Sequence, residues 1–444
     1  MRTYIAIIMG KLTIIAGKLL HRGSVLPGII ALKFDKNIIS HITLPKTIIA
    51  VTGSSGKTST SYKIADTLRQ NGYSVIHNMA GSNLLTGIVT LFLNNTTLMG
   101  KSKHDIAVLE VDERYTKQIF DAIHPTHVIV NNITRDQPPR HGHFNVVYQT
   151  IASALPNDTH LFLNGDDPML LGLAKRQTGI VTYFGLSKNK ESFKTAFTNN
   201  PDMIYCPNCH AKLKYHFVSF GNVGDYACPT CDFKRPQLDY QITNINRNGL
   251  IINHQYQFKP TSDILYTYYN DIAAFAVCRE LGMNATDIIT TLEHSALREK
   301  RYLSFHYQNR DGYILSGKNE NAPSYNQSLL YVSKKKGIKT IIFGFEYISL
   351  RYPYQDISWL YDIDFELLKD ETINQVICLG PFAYDIATRI QLSGIAKKKI
   401  KTVFKVQDIY PILSTSKGDI YAILNLGTDV KFKKQLEHHQ IDVH

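Results

Sequence analysis

A short glycine-rich loop between an apolar segment and a helical pattern constrains the fold of this chain most strongly. The β-branched segment Thr47–Thr52 runs directly into Gly53-Ser54-Ser55-Gly56-Lys57-Thr58, and a helical pattern opens at about Ser59. Glycines let a backbone fold around an anion, and the free amides at a helix start point toward it. The order of strand, loop and helix therefore predicts a phosphate-binding site at the end of a buried strand.

Each residue type in this loop has its own chemical task. Lys57 is expected to reach the outer phosphates of a nucleotide, and the Thr58 hydroxyl to bind Mg²⁺. Only two residues separate the glycines, fewer than in the general phosphate-loop pattern, so a plain glycine turn that caps a helix is the alternative. The Gly-Lys-Thr triplet favours a nucleotide site formed by Gly53, Ser54, Ser55, Gly56, Lys57, Thr58 and Ser59.

Short apolar runs alternate with helical segments along most of the chain. The first set of predicted strands is Thr47–Thr52, Ile106–Val111, His127–Asn131, Leu161–Asn164 and Val181–Phe184. A second set is Thr340–Phe343, Val376–Leu379, Thr402–Val406 and Ile420–Leu424, and the predicted helices include Ser59–Asn71, Glu113–Ile123 and Tyr384–Leu392. This alternation predicts βαβ units, and hence an α/β protein with mostly parallel sheets.

The pattern also suggests where domains begin and end. We expect an amino-terminal segment (1–45) that packs on a central nucleotide-binding domain (46–204 and 237–305). A cysteine-containing insertion (205–236) interrupts this domain. A smaller Rossmann-like α/β domain (306–444) follows it.

Acidic residues follow two of the predicted strands. Glu110 lies at the end of its strand, which places the carboxylate at the carboxyl edge of a parallel sheet, where ligands bind in open α/β sheets. A carboxylate at this edge is suited to hold Mg²⁺, and capping of the next helix is the alternative. Asn164, Asp166 and Asp167 are further candidates, although Asp166-Asp167-Pro168 is also typical of a helix start.

Four of the six cysteines form two C-x₂-C pairs. Four thiolates with this spacing can close a tetrahedral Zn²⁺ site that has no open position, which predicts a structural zinc site. The ligands would be Cys206, Cys209, Cys228 and Cys231. Cys278 and Cys378 lie in apolar segments and are expected to be buried and inert.

The charge and hydropathy of the chain narrow the classes of partner. Lys and Arg number 49 against 37 acidic residues, a formal net charge of +12, which favours an anionic partner unless the surface is simply basic throughout. No apolar run reaches the length of a membrane span, and no secretory signal is clear. We expect a soluble, cytoplasmic protein.

Several motifs together resemble the Mur ligases, ATP-dependent enzymes of peptidoglycan synthesis. These are the segments Thr52–Thr60, Gly81-Ser82-Asn83, Leu109–Glu113, Arg135-Asp136-Gln137 and Asn164–Pro168. The cysteine insertion after Tyr183-Phe184-Gly185 narrows the resemblance to the MurT-like synthetase subunits of lipid II isoglutaminyl synthase. So do Lys318-Asn319, Tyr325-Asn326-Gln327 and the block Asp356–Glu366.

This resemblance implies a specific reaction. ATP would phosphorylate the α-carboxyl of D-glutamate in the lipid II stem peptide, and ammonia would displace the phosphate to leave D-isoglutamine. A GatD-like glutaminase subunit would supply the ammonia in a heterodimer. The required cofactors would be ATP, Mg²⁺ and Zn²⁺. No nucleic acid is expected, and contact with the inner face of the membrane would be peripheral at most.

The resemblance also implies roles for individual residues. Asp356 would complete the catalytic triad of the glutaminase, with Asp362 and Asp364 as alternatives and a plain turn cap as the competing interpretation. Asn83, Asn270 and Arg298 would contact the nucleotide. The chain departs from the family pattern at His141 and His143, and the turn before the carboxyl-terminal domain reads Leu297-Arg298-Glu299-Lys300.

Two other functions remain open from the sequence. One is a Mur-like ligase that adds an amino acid to a peptidoglycan precursor and needs no glutaminase. The other is an ATPase that binds nucleic acid through its zinc ribbon, because basic and aromatic residues such as Lys212, Lys214, Tyr215 and Phe217 are interleaved there. That last function leaves the block Asp356–Glu366 unexplained.

Overall fold

The structure is a computed structural model. It describes residues 2–19, 25–78, 82–134, 143–190, 192–194, 204–262, 264–295, 302–317, 322–346 and 356–443. The chain forms two compact units, the first mostly from residues up to 295 and the second mostly from residues after 302. None of the helices within the described ranges is long and apolar enough to cross a bilayer.

A nine-stranded sheet forms the centre of the first unit. Its strands are β1 (Thr47–Thr52), β2 (Val75–His77), β3 (Ile106–Glu110), β4 (His127–Val130), β5 (His160–Asn164), β6 (Val181–Leu186), β9 (Tyr240–Asn246), β10 (Gly249–Ile252) and β11 (Tyr256–Phe258). Strands β2-β3-β1-β4-β5-β6-β9 are parallel neighbours in that order, and β10 and β11 extend the edge in antiparallel fashion. The separate hairpin of β7 (Lys214–Phe220) and β8 (Val223–Ala227) lies between β6 and β9 in sequence.

Helices cover both faces of this sheet. They are α1 (Arg2–Leu19), α2 (Leu26–Phe34), α3 (Lys57–Gln70), α4 (Leu85–Asn94), α5 (Thr116–Ile123), α6 (Phe144–Ala154), α7 (Leu171–Ala174), α8 (Leu265–Glu280) and α9 (Ala285–Glu293), with a 3₁₀ turn at Ile38–His41. One apolar cluster contains α1, α2, α4, α5 and α6, and a second contains α3, α8 and α9. Alternate residues of β1 enter the two clusters, as expected for a strand buried on both faces.

The helical hairpin α1–α2 packs closely on α4. A Cβ atom at Gly28 would lie 1.8 Å from the Thr86 carbonyl oxygen, and one at Gly10 would lie 2.7 Å from Leu93. Lys11 donates from Nζ to the carbonyl oxygens of Leu93 and Thr96, each at 2.6 Å, and so satisfies acceptors at the end of α4. These contacts fix which side of the hairpin faces the core.

The second unit contains a six-stranded sheet in the order β12-β13-β17-β14-β15-β16. Its strands are β12 (Tyr302–Tyr307), β13 (Arg310–Gly317), β14 (Lys339–Gly344), β15 (Ile373–Leu379), β16 (Ile400–Val403) and β17 (Asp419–Asn425), all parallel except β12. Its helices are α10 (Ala322–Ser333), α11 (Ala383–Leu392), α12 (Tyr410–Thr415) and α13 (Thr428–His438). Short 3₁₀ turns span Ser358–Asp362, Phe365–Leu368, Lys397–Lys399 and Val406–Ile409.

The predicted α/β architecture with parallel sheets is confirmed, while several boundaries differ. Helix α3 begins at Lys57, two residues before the predicted Ser59, because Gly56 adopts φ 81° and ends the loop there. Helix α5 begins at Thr116 rather than Glu113, since the Asp112 carboxylate accepts from the Arg114 amide and holds a turn. Strand β16 ends at Val403 rather than at Val406, because Val406 is the first residue of a 3₁₀ turn. The proposed domain boundaries stay predictions.

Candidate functional site

The glycine loop crosses the carboxyl edge of the first sheet between β1 and α3. Gly53 and Gly56 have φ of 118° and 81°, a region that residues with a Cβ rarely adopt. A Cβ at Gly56 would lie 2.4 Å from the Asn270 side-chain oxygen and 2.9 Å from Asn131 Nδ2. The second glycine is therefore required both by its backbone conformation and by the close approach of two amide side chains.

Two asparagines after β4 hold this loop in place. The side-chain oxygen of Asn132 accepts from the Ser55 amide at 2.9 Å, and its carbonyl oxygen accepts from the Ser54 amide at 3.0 Å. Asn132 Nδ2 donates to the Ser55 carbonyl at 3.3 Å. The sequence analysis missed Asn131 and Asn132, although their position directly after a parallel strand was the available signal.

A small buried polar cluster lies under the loop. Thr60 in α3 donates to the Asn270 side-chain oxygen at 3.2 Å and accepts from Asn131 Nδ2 at 3.0 Å. Within the described residues, Asn270 Nδ2 and Asn131 Oδ1 are buried without a hydrogen-bond partner. Buried polar groups are rarely left unsatisfied, so these two atoms suit a polar ligand beside the loop. Asn270, predicted from the resemblance, thus lies next to the glycine loop.

Lys57 is buried and engaged by protein groups. Its Nζ donates to a Glu113 side-chain oxygen at 2.7 Å, to the Ser54 carbonyl at 3.3 Å and closely to the Gly53 carbonyl. Lys57 and Glu113 form an ion pair in which both side chains are almost fully buried. The pair places one cation and one anion at the mouth of the loop. Thr58 is exposed and Ser59 is half-buried in the first turn of α3.

Glu110 occupies the last position of β3, next to β1. Asn78, which follows β2, accepts from the Glu110 amide at 2.7 Å and donates to its carbonyl at 2.8 Å, so the backbone there is fixed. Asn83 Nδ2 donates to the Glu110 side-chain oxygen at 3.4 Å. The structure thus brings Glu110 and Asn83 together at the sheet edge, and the following turn is capped by Asp112 instead of Glu110.

Asp166 has a different role from the metal-binding one considered from sequence. Its carboxylate is fully buried, and it accepts from Arg235 at 2.6 Å, from the Tyr269 hydroxyl at 2.7 Å and from the Leu186 amide at 2.8 Å. Arg235 follows the cysteine hairpin and Tyr269 lies in α8. With its donors provided by protein groups, Asp166 joins the insertion to the central sheet.

Asp167 is also fully buried, beside this anchor. It accepts from the Met169 amide at 3.0 Å and the Ile133 amide at 3.2 Å. Burial raises the pKa of Asp167 to about 7, because the two backbone hydrogen bonds only partly offset the loss of solvation. This carboxyl group therefore titrates near neutral pH.

The four cysteines of the insertion converge. Their Sγ atoms all lie within 4.8 Å of one another, with 3.6 Å between Cys206 and Cys231 and 3.4 Å between Cys209 and Cys228. Tetrahedral thiolates around Zn²⁺ are separated by about 3.8 Å, given a Zn–S bond of about 2.3 Å. The Asn208 and Thr230 amides point at Cys206 and Cys228 sulfurs at 3.4 Å. The donor set and spacing fit a four-thiolate metal site.

Asp356 lies in the second unit, just before the 3₁₀ turn Ser358–Asp362. Its Oδ1 accepts from the Ser358 amide at 2.8 Å, and the side chain is half-buried. The neighbouring Trp359 is buried in the core of the unit. Asn326 bridges the backbone on either side of Ile363, donating to the Asp362 carbonyl and accepting from the Asp364 amide. The second oxygen of Asp356 is not used by this cap.

Some predicted residues lie outside the described part of the chain. These are Gly81, Arg135-Asp136-Gln137, His141, Leu297-Arg298-Glu299-Lys300 and Lys318-Asn319. His143 is described, and it is exposed immediately before α6. The role predicted for Arg298 stays a prediction.

Two solved ligase structures illustrate which proteins share this fold. A pseudomurein peptide ligase type C from Methanothermus fervidus aligns with a TM-score of 0.68 at 19% identity, covering 91% of this chain and 81% of that chain. MurF from Acinetobacter baumannii aligns with a TM-score of 0.58 at 15% identity, covering 93% and 79%. The family model "Mur ligase middle domain" matches residues 51–221. The chain therefore has the fold of the Mur ligases, and the glycine loop lies within the matched middle domain.

Comparison of sequences identifies the branch of this class. The family model "MurT ligase C-terminal" matches residues 319–427. The MurT subunit of lipid II isoglutaminyl synthase (glutamine-hydrolyzing) from Streptococcus pneumoniae is 30% identical over 99% of this chain and 98% of its own length. The corresponding subunit from Staphylococcus aureus strain COL is 31% identical over 98% of each chain. The chain belongs to the MurT family.

Proposed function

We propose that this chain is the synthetase subunit of a cytoplasmic lipid II isoglutaminyl synthase. It uses ATP to convert the α-carboxyl of D-glutamate in the stem peptide of lipid II into an amide. The full-length relationship to MurT subunits carries this proposal. The glycine loop with Lys57 and the carboxylate of Glu110 at the same sheet edge supplies the chemistry that such a ligase needs.

The chemical difficulty in this reaction is that a carboxylate is a poor electrophile. Transfer of a phosphoryl group from ATP to the carboxylate forms an acyl phosphate, and attack by ammonia then releases phosphate and leaves the amide. Lys57 and the amides at the start of α3 would neutralise charge on the transferred group. No covalent nucleophile from the chain is required.

The same sheet edge offers ligands for Mg²⁺. The Thr58 hydroxyl and the Glu110 carboxylate are the oxygen donors that this cation prefers, and Asn83 would orient Glu110 through its hydrogen bond. When bound, Mg²⁺ would screen the phosphate charges during transfer. Asn270 and Asn131, with their unsatisfied buried atoms, would contact the nucleotide beside the loop.

The four-cysteine cluster would hold a structural Zn²⁺. A site closed by four thiolates leaves no position for substrate, so its contribution would be to the folding of the inserted hairpin. The cluster Tyr226, Leu213 and Phe233 beside Cys206 is a small core that metal binding would complete. Through Arg235 this ribbon is tied to Asp166 and the central sheet.

Ammonia would come from a GatD-like glutaminase subunit, and Asp356 would contribute to the active site of that partner. The half-buried carboxylate of Asp356 is positioned by its bond to the Ser358 amide, and its second oxygen is left out of the cap. The replacement Asp356→Asn keeps an oxygen for the cap and removes the charge. It should abolish glutamine-driven amidation while sparing amidation with added ammonium.

Asp385→Asn, an exposed replacement in the same unit, is the matched control for this measurement. Equal losses of both activities in Asp356→Asn would assign Asp356 to the synthetase step or to folding.

The decisive experiment combines the chain with its glutaminase, lipid II, ATP and glutamine. Mass spectrometry of the stem peptide should show the small mass decrease that accompanies replacement of a hydroxyl by an amine, together with release of ADP. A mass increase by an amino-acid residue would instead identify a ligase that adds amino acids. Absence of ATP turnover in the presence of lipid II would contradict the proposal.

A further inference from the structure

The amino-terminal hairpin carries an exposed apolar stripe that the synthetase chemistry does not use. On α1 it consists of Tyr4, Ile5, Ile8, Leu12, Ile15 and Leu19, all exposed. At about 100° per residue these positions fall within about 100° of arc on one side of the helix. The opposite side, with Ala6, Ile7 and Gly10, is buried. The stripe is thus a continuous outward face rather than scattered single residues.

The second helix of the hairpin repeats this arrangement. Leu26, Ile29 and Phe34 of α2 are exposed, whereas Pro27, Gly28 and Ala31 are buried. The Gly28 amide donates to Thr90 Oγ1 of α4 at 2.9 Å, and Gly10 of α1 approaches Leu93 of the same helix. Since both helices pack on α4, their exposed sides both face away from the body of the first unit.

The charges around the stripe are of one sign. Residues 1–34 contain no Asp or Glu, and their cationic residues are Arg2, Lys11, Lys18, Arg22 and Lys33. Arg2, Lys18 and Lys33 are exposed. The first acidic residue, Asp35, is buried and accepts from Thr3 at 2.8 Å and bonds His41 at 2.7 Å. No negative side chain of this segment therefore opposes an anionic surface.

We infer that the α1–α2 hairpin docks the protein on the surface of a bilayer that contains anionic phospholipids. Interfacial helices present aliphatic side chains to the acyl region and basic side chains to the phosphates, as this hairpin does. Protein interfaces, by contrast, are depleted in lysine and enriched in arginine and aromatic residues. The exposed apolar residues of the hairpin are aliphatic apart from Tyr4 and Phe34, and its exposed cations include Lys18 and Lys33, which favours lipid over a protein partner.

This docking would bring the nucleotide site to its acceptor. Lipid binding itself stands apart from the proposed function, but its use in catalysis rests on that function, because lipid II is anchored in the membrane by its lipid tail. A hairpin held at the interface would confine the enzyme to the layer in which the acceptor diffuses.

Vesicle sedimentation tests the inference with the full-length chain. Vesicles of phosphatidylglycerol and phosphatidylcholine in equal parts should bind the wild-type protein more strongly than phosphatidylcholine alone, and added salt should weaken the difference. The double variant Leu12→Gln and Ile15→Gln should lower the partition coefficient at least about tenfold, since two aliphatic side chains no longer enter the interface. Thermal unfolding of this variant should match the wild type, because both positions are exposed.

Ile180→Gln is the matched control, since Ile180 is 65% exposed, comparable with 59% for Ile15, and lies outside the hairpin. It should bind vesicles like the wild type. Wild-type protein that stays in the supernatant with anionic vesicles, or a double variant that binds as well as the wild type, would overturn the inference. A different result would assign the stripe to a protein interface. In that case the wild type would not bind vesicles, but it would associate with itself or with the glutaminase subunit, and the double variant would lose this association.

Two further measurements separate this inference from the proposed function. Lys57→Met should bind vesicles normally, because the nucleotide site does not contribute to docking. The hairpin double variant should amidate lipid II in detergent at the wild-type rate and lose at least about tenfold on lipid II in vesicles. If the wild type binds vesicles normally but amidates no lipid II, docking stands and the synthetase assignment fails. If the double variant amidates lipid II at the wild-type rate in vesicles as well as in detergent, docking does not serve catalysis.

Discussion

Lys57 of the glycine loop and Glu113 of the turn that follows β3 form a buried ion pair, with 2.7 Å between Nζ and the carboxylate oxygen. The same lysine bonds the loop carbonyls of Gly53 and Ser54. Its ammonium is therefore held at the loop before any nucleotide arrives, and incoming phosphates would compete with Glu113 for it. Preorganised cations of this kind are what phosphoryl transfer requires.

Replacing Lys57 by Met should reduce kcat/KM for ATP-dependent amidation at least about 100-fold, because the group that neutralises the transferring phosphoryl is lost. The variant also removes the cation of a buried ion pair with Glu113, which lowers the free energy of unfolding by at most about 3–5 kcal/mol. Steady-state kinetics and chemical denaturation measure the two effects separately.

Lys63→Met is the matched control. Lys63 lies in the same helix and pairs with Asp271, and both side chains are buried to a similar degree. It should lose comparable stability, while its folded fraction keeps normal kcat/KM. Equal kinetic losses in both variants would show that Lys57 acts through folding alone.

Asn132→Ala should weaken ATP binding by about 2- to 10-fold, because the Ser55 amide loses the acceptor that orients it. Isothermal titration with a non-hydrolysable ATP analogue measures this change. Asn71→Ala, which removes a side-chain bond at the far end of α3, should leave affinity unchanged. An unaltered ATP affinity in Asn132→Ala would mean that the glycine loop keeps its conformation without the side-chain hydrogen bonds of Asn132.

Glu110→Gln should raise the Mg²⁺ concentration needed for half-maximal activity by about tenfold or more, since an anionic ligand becomes a neutral one. The amide oxygen of the new glutamine can still accept the hydrogen bond from Asn83, so a loss of Mg²⁺ affinity would reflect the missing negative charge. A Mg²⁺ titration of the amidation rate provides the measurement, and Asp121→Asn on the exposed side of α5 is the control. Identical Mg²⁺ curves would remove Glu110 from the metal site.

The raised pKa of Asp167 predicts that the stability of the fold depends on pH. Its pKa is about 7 in the fold against the ordinary 3.8, so the folded chain keeps a proton that the unfolded chain releases between these values. The contribution of Asp167 to stability is thus largest below about pH 4 and falls as the pH rises to about 7, by at most about 4 kcal/mol.

The variant Asp167→Asn should lack this decline, so the melting temperature of the wild type should fall relative to the variant between pH 5 and pH 8. Asp158→Asn, at an exposed carboxylate, should follow the wild type across the same range. Parallel curves for wild type and Asp167→Asn would contradict a proton held at this site.

Cys209→Ser should lose zinc and lower the melting temperature, because metal binding contributes to the folding of the inserted hairpin. Elemental analysis should find about one zinc per chain in the wild type. Cys378→Ala, which removes a buried thiol of the second unit, should keep the metal even if it loses stability. Full zinc content in Cys209→Ser would contradict a four-thiolate site.

Much of this fold was predictable because its signals are local. The strand Thr47–Thr52 and the glycine loop follow from short stretches of sequence, and the structure has that strand with the same bounds. The cysteine spacing likewise predicted a cluster that the structure assembles. The prediction that Glu110 lies at the end of its strand is confirmed as well.

The remaining features depend on contacts between distant parts of the chain. Asn132 reaches Ser55 across 77 positions, and Arg235 reaches Asp166 across 69, which no local pattern encodes. Asp166 was considered as a metal ligand because its sequence neighbourhood resembles one, whereas the structure pairs it with Arg235 and Tyr269. The early start of α3 depends on the left-handed backbone conformation of Gly56. A glycine can adopt this conformation but need not, so the sequence did not predict it.

The bond between Thr60 and Asn270 spans 210 positions, so the underside of the glycine loop is completed by a helix that is synthesised long after the loop itself. During translation, strands β1 to β6 can leave the ribosome well before α8 exists. A nascent chain that ends before Leu265 would lack the contacts of α8 beneath the glycine loop, and an apolar face of α3 would be exposed. We therefore expect nucleotide to bind this loop only after α8 has emerged from the ribosome, long after the loop itself.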